Sequence, residues 1–408
     1  MKRVNALILL KYSFIFLALF PLIPNRIKGL PVILLLMFSF FLFFNEKRKQ
    51  FNWKLLLINS SIFLVYLFSL LYTSNISYAM KKLEISLSLL VFPLVFALIW
   101  RFKELLDYKF LLKTIVLVFF HSVVVFTVIV FSYLLYVGGF SYLSEPSFIR
   151  HFTEYLPFIG QHSIYASIYL GLGLLCFIYL LKLTKKIKYQ VALILEASFI
   201  LLLLISLASK GALLASFVSI IVYCLSIINK KRNQLVLLIS FFALLFFILN
   251  FSPSLSKRVS LFNASLSLPS YEGELSSTQT RKEIYNCSFK LLKNNWIYGY
   301  GFGDVNDKLI ICYSHVSKYL VDGEFNSHNQ YLSILLGCGV FGLFTTLLFL
   351  YFNYEIFKLE KHYFFISVLL FYSIIMFVEN ILERQSGVIL FSFFINLFSF
   401  CSYNKNFR

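Results

Sequence analysis

The chain has 408 residues, of which 60% are hydrophobic, 19% aromatic and only 13% charged, with a formal net charge of +19. A soluble domain carries about 25% charged residues, so this composition excludes an ordinary water-soluble protein and points to lipid as the solvent. The positive charge does not suggest a nucleic-acid partner, because the lysines and arginines sit in short segments between apolar runs, the pattern of topology determinants.

A helix needs about 20 apolar residues to cross roughly 30 Å of hydrocarbon. Such runs predict spans over 6–23, 30–44, 55–72, 84–100, 110–137, 162–181, 190–208, 211–228, 235–251, 329–352, 363–380 and 386–402. The expected architecture is therefore an all-α polytopic bundle of about 12 spans, forming a single membrane domain over 1–408. The first run contains Lys11 and ends in Pro21 and Pro24 without a small-residue cleavage site, so it reads as a span. No internal repeat is visible between the spans, which disfavours transporter folds built from two similar halves.

Orientation follows from the basic residues. With a cytoplasmic N-terminus, the inner segments and tails hold 20 Lys and Arg and the short outer loops hold 7. This bias predicts that both termini are cytoplasmic. The long loop at 252–327 then faces outward as an embedded cap, with 8 basic and 7 acidic residues.

Lys11, Lys113, His121 and Glu196 fall within the hydrocarbon. Intramembrane ionisable groups are functional candidates, although the two lysines lie near span ends and can snorkel to the surface. Glu196 is deeper and is expected to face other helices, as a structural hydrogen-bonding group or a catalytic one. The outer side is richer. SLASKGALLAS (206–216) joins two apolar runs with almost no loop, which holds Lys210 near the bilayer surface, where it is an interfacial anchor or a partner for a headgroup phosphate. Within the long loop, TRKEIYNCSFKLLKNNW (280–296) reads as a helix. Thr280 and Glu283 form a capping box that makes Arg281 its first residue, beside free N–H groups that favour phosphate.

WIYGYGFGDV (296–305) places Gly299, Gly301 and Gly303 on alternate positions, which lets the backbone approach a ligand or turn tightly. GCGVFG (337–342) matches a dinucleotide pattern in form only, since it lies inside an apolar span where helix packing explains it better. NSHNQYL (326–332) puts His328 and Asn329 at the outer mouth of a span. A free imidazole titrates near pH 6.5, which suits it to taking a proton from a hydroxyl. Arg150, His162, Arg258, Glu379, Glu383 and Arg384 are further outer polar groups. The six cysteines have no metal-binding spacing; Cys176, Cys224, Cys338 and Cys401 lie in spans, and Cys287 and Cys312 share the outer loop and could pair.

In order, these segments resemble the O-antigen ligase and polymerase family: SKGALLA after one span, then R-x-x-x-Y, W and GYGFGD in a long outer loop, then HNQYLSILLGCGVFGL opening the next span. The strong part covers roughly 206–350, and QHSIYASIYLGLG (161–173) resembles an earlier family segment. One departure is Lys210, where the family more often has arginine; lysine keeps the charge but loses bidentate phosphate geometry.

The resemblance implies transfer of a glycan from undecaprenyl diphosphate to a sugar hydroxyl at the periplasmic face of the bacterial inner membrane, with no cofactor and no metal. The acceptor is then lipid A-core for a ligase or the growing glycan for a polymerase, and the slight preference is for a polymerase. The implied roles are His328 as general base, Arg281, Lys210, Arg258 and Arg384 on the diphosphate, and Asn329, Gly301, Gly303 and His162 toward the acceptor. Fixed cations at the bilayer surface suit a diphosphate leaving group independently of the resemblance. The alternative from another class is a flippase for the same lipid-linked sugar, which would need charged residues along a central path.

Overall fold

The computed structural model describes residues 2–47, 50–139, 146–228, 230–232, 234 and 277–403. The predicted span at 235–251, Arg258 and the start of the outer loop lie outside the described residues. Among those described there is no strand. The bundle begins with α1 (Lys2–Ala18), α2 (Leu30–Phe44), α3 (Trp53–Phe68), α4 (Ile76–Ser86), α5 (Ser88–Leu98) and α6 (Tyr108–Gly138). A short α7 (Pro146–Glu154) precedes α8 (Ser163–Leu183), α9 (Ile187–Ser206) and α10 (Lys210–Ile227). A cap holds α11 (Ser277–Asn295), α12 (Val305–Tyr313) and α13 (Lys318–Asp322), and α14 (Gln330–Leu359), α15 (Tyr363–Ile375) and α16 (Gln385–Ser402) complete the bundle.

Among the described residues, eight helices are long and apolar enough to cross a membrane, and Val4–Ala18, Ser88–Leu98 and Tyr363–Ile375 are shorter apolar helices. Each predicted span other than 235–251 therefore has an apolar helix in its place. Their ends are set by polar punctuation. Asn52, Asn75 and Asn329 cap α3, α4 and α14, accepting from Leu55 N at 3.0 Å, Tyr78 N at 3.1 Å and Leu332 N at 3.1 Å. The fourth predicted span is the exception in form, because α4 and α5 divide around Leu87 and α5 carries Pro93 in its interior. The helical stretch starts at Ile76, which takes Lys82 into the bundle.

The central helix is α16, with 89% of its apolar window buried. It carries Asn396, which pairs with Asn59 of α3 at 3.0 Å; Asn59 in turn accepts from Asn353 of α14 at 3.0 Å. Helix packing in lipid lacks the hydrophobic drive of water, so such interhelical amide bonds help fix which helices meet.

The cap has a small apolar core of its own, including Ile284, Leu309 and Leu320, which continues onto Leu332 and Leu336 of α14. Cys287 of α11 and Cys312 of α12 form a disulfide. The cap is joined to the bundle along a glycine seam. Gly339 breaks α14 with φ 63° and ψ −165°, and the carbonyls thus freed accept from the cap: Tyr300 N to Leu336 O at 2.7 Å and Gly301 N to Gly337 O at 2.9 Å. The GCGVFG segment is thus a kink that receives a loop, beyond the plain helix packing expected of it.

Candidate functional site at the outer helix mouths

His328 sits just before α14 with φ 45°, a left-handed conformation uncommon for a residue with a side chain. Such backbone persists only where its surroundings over-determine it. Here its N–H donates to Asn326 Oδ1 at 3.1 Å, and its carbonyl accepts from the Tyr285 hydroxyl of α11 at 3.5 Å. Its Nδ1 lies 3.3 Å from Oε2 of Glu379, on the segment between α15 and α16. Glu379 is buried, at 7% exposure. Burial alone would push its carboxyl up. The hydrogen bond and charge of His328 and the charge of Arg281 outweigh burial and hold it below the ordinary value. Arg281 lies one helical turn before Tyr285 on the same face of α11, so α11 brings both toward His328 and Glu379.

The segment at 376–384 gathers the other candidates. Gly211, the second residue of α10, lies so close to Val378 that a Cβ would meet its Cγ2 and lie 3.0 Å from its Cβ. Lys210, the first residue of α10, is thereby placed beside the neighbour of Glu379. The tight α9–α10 turn is fixed from α7, whose Arg150 donates to Leu207 O at 2.9 Å and Ala208 O at 3.1 Å. A guanidinium on the carbonyls just past the end of α9 satisfies groups that the helix leaves without an intrahelical partner. Arg384 is the N-cap residue of α16 and is exposed. Tyr165, one turn into α8, lies within electrostatic reach of Glu379, Arg384 and Glu383, and His162 is the exposed N-cap residue of that helix.

Lys210, His162, Asn329 and Arg384 thus all stand at helix N-termini, on α10, α8, α14 and α16. Each such end carries the positive pole of a helix dipole, although on α14 the Gln330 and Leu332 N–H groups are taken up by Met376 O and Asn329 Oδ1. Four of them near one buried carboxylate and one imidazole make a locally positive, proton-accepting surface.

Several expectations are modified. The cap helix begins at Ser277, so Arg281 is its fifth residue and Thr280, at 6% exposure, is packed inside the helix rather than capping it. The Asn329 amide oxygen caps α14, which commits that atom to the helix. Gly301 and Gly303 are buried in the seam against Thr73 and Asn75, not at a surface open to a ligand. The close backbone approach expected of them is made to the protein itself. His121 and Glu196, on α6 and α9, lie 3.6 Å apart, so Glu196 meets a neighbouring helix as expected.

Sequence reasoning named Glu379, Glu383 and Arg150 only as outer polar groups, met Tyr285 only as the last residue of R-x-x-x-Y, and passed over Lys82. A signal was present for Tyr285, which follows Arg281 by four residues and so shares its helix face. None was present for the pairing of Glu379 with His328, which are 51 residues apart in sequence.

Residues 191–347 match a family model described as O-antigen ligase. The match contains the SKGALLA, R-x-x-x-Y, GYGFGD and HNQYL segments. It bears out the resemblance to the O-antigen ligase and polymerase family, and with it a place in surface-polysaccharide biosynthesis. The chain matches no curated protein.

Proposed function

We propose that this chain transfers a glycan from an undecaprenyl-diphosphate-linked donor to a sugar hydroxyl at the outer face of the membrane, with His328 as general base. The observation that carries this reading is the His328–Glu379 contact with Arg281 beside it. A carboxylate accepting from Nδ1–H leaves the lone pair on Nε2, the atom that would take a proton. The acceptor oxygen attacks the anomeric carbon as its proton passes to Nε2. The bond from that carbon to the phosphate oxygen breaks, and its electron pair leaves with the diphosphate. Glu379 stabilises the imidazolium that results, as a buried carboxylate does behind a histidine base. Arg281, Lys210 and Arg384 stabilise the charge that develops on the leaving group, with Arg258 as a further cation of the same loop. The helix N-termini add fixed dipoles of the same sign. His162 borders the acceptor side, and Asn329 holds the end of α14 in place.

The outward orientation is supported by the Cys287–Cys312 disulfide, because thiols of this kind stay reduced in the cytosol and pair outside it. It agrees with the excess of basic residues in the inner segments. A cysteine introduced at Ser276 is expected to react with a membrane-impermeant reagent in intact cells; reaction only after permeabilisation would reverse the orientation.

Incubation of detergent-purified protein with lipid-linked glycan and acceptor tests the activity directly, since a flippase has nothing to do without a second compartment. Transfer is expected, and its absence with active lipid-linked donor would sink the reading. In a deletion strain, single capped repeats identify a polymerase. Lipid-linked polymer accumulating beside bare lipid A-core identifies a ligase.

A further inference from the structure

Lys82 of α4 is 7% exposed, although the sequence places it in a short outer loop between two apolar runs. Its ammonium lies 3.5 Å from Oε2 of Glu383, and both side chains are only 8% exposed. It also lies over the rings of Phe302 and Tyr78, at 5.1 and 5.2 Å from their centroids. Phe302 belongs to the glycine seam and stacks on Tyr66 of α3 at 4.1 Å. Lys82 therefore stands where α3, α4, the cap seam and the segment at 376–384 meet.

Glu383 ends that segment, and Glu379 lies within it. The other oxygen of Glu383 accepts from Asn380 Nδ2 at 2.8 Å and from the Ser333 hydroxyl of α14. Asn380 exchanges hydrogen bonds with Ser327, the neighbour of His328, at 3.2 and 3.3 Å. Gln330 closes the frame, donating from its N–H to Met376 O at 2.7 Å and accepting from Leu382 N at 2.8 Å. The segments carrying His328 and Glu379 are thus laced together around one buried carboxylate, and Lys82 is the cation that balances it. A buried carboxylate stripped of its partner is strongly unfavourable, so the frame would have to open or take up a proton.

We infer that Lys82 is a positioning residue for glycan transfer: its ion pair with Glu383 holds the 376–384 segment so that Glu379 meets His328. This rests on the reading of His328 and Glu379 given above. Lys82 does not touch the reacting atoms, so its loss alters the rate of the chemical step more than donor binding.

The test uses the full-length protein purified in detergent, with two independent readouts. In Lys82→Met, backbone hydrogen exchange is expected to rise in peptides covering 376–384 and 326–330 and to stay at wild-type level in α6 and α9. Turnover is expected to fall by about tenfold or more, as small misplacements of catalytic groups do, with the donor KM within about twofold of wild type. Lys82→Arg is expected to restore both readouts. Should Lys82→Met not accumulate, Glu383→Gln carries the test, since it keeps the shape and removes the charge; the same pattern at smaller size is expected. Wild-type exchange at 376–384, or wild-type turnover, in these variants would overturn the inference. A raised donor KM with normal turnover would also overturn it, by making Lys82 a substrate contact. Exchange needs no glycan transfer, so if the purified wild type proves inactive the proposed reaction fails while this readout still decides whether Lys82 holds the segment.

Discussion

Among the described residues, two histidine–glutamate pairs have nearly the same geometry and very different surroundings. His328 and Glu379 are 3.3 Å apart at the N-terminal mouth of α14; His121 and Glu196 are 3.6 Å apart between the apolar helices α6 and α9. In the outer pair the carboxylate is nearly buried and the imidazole is fixed through its backbone on both sides. In the second pair the side chains are 48% and 32% exposed, and Glu196 Oε2 makes no hydrogen bond. Only the outer pair has Arg281 and four helix N-termini around it. The residue types are the same; the preorganised charge is not, and that is what a proton-transfer site requires.

The comparison breaks first if the two histidines prove interchangeable. His328→Ala is expected to abolish detectable transfer in membranes that contain normal amounts of protein, since a positioned base contributes about 10²–10⁴-fold. His121→Ala should retain most of the activity. His328→Gln should be nearly as poor as the alanine variant, because an amide can hydrogen-bond but cannot take the proton. Near-normal turnover by His328→Gln at saturating acceptor would remove the base assignment.

A second test concerns the cations that only the outer pair possesses. Arg281→Ala should cost about 10²-fold in turnover, in line with removal of one donor to a developing anion. Lys282→Ala, its exposed neighbour on α11, should change turnover little. Equal and mild effects of the two would leave Arg281 as a solvated surface residue. Lys210→Arg should be tolerated, since arginine restores the family's usual residue and can bind phosphate bidentately.

The scaffold of the outer pair can be weakened without touching its chemistry. Gly301 has φ 94°, and a Cβ there would lie 2.8 Å from Thr73 Cα, so Gly301→Ala opposes both backbone and packing. A loss of about 2–4 kcal/mol is expected from strain and overlap together, read as a lower thermal midpoint in detergent. The Cys287–Cys312 bridge spans 25 residues, and closing a loop of that length contributes about 3.5 kcal/mol in the chain-entropy account. Cys287→Ser, or a reductant, should lower the midpoint of cap unfolding and leave the bundle's own transition in place.

The smallest effect separates the pairs by pH. The carboxyl of Glu379 is held below its ordinary value, so its ionised form contributes stability above the unfolded carboxyl pKa of about 4.3, and that contribution is lost as pH falls through the lower folded value. The stability gap between wild type and Glu379→Gln should therefore shrink as pH is taken from about 6 to about 3. A gap that stays constant over that range would show that the carboxylate's charge plays no part in holding the outer pair together.

The sequence by itself determined the helical class and, outside 235–251, the place of the apolar helices, and it named most of the residues that the candidate site brings together. Apolar runs of membrane length and basic residues between them are local signals, and in lipid a run of that kind has no alternative to a helix. The glycine seam was half legible. Alternate glycines at 299–303 announce close backbone approach, but their partner at Gly337–Gly339 is supplied by a different helix. Only the tertiary structure decided which of several charges come near one another, since Glu379, Arg281, Lys210 and His328 come from four separate segments. It also decided that Lys82 is buried, because the cost of burying an ammonium is offset by a carboxylate some 300 residues later in the chain. Local pattern reports how a segment meets its solvent; the pairing of buried charges depends on how helices far apart in sequence are packed.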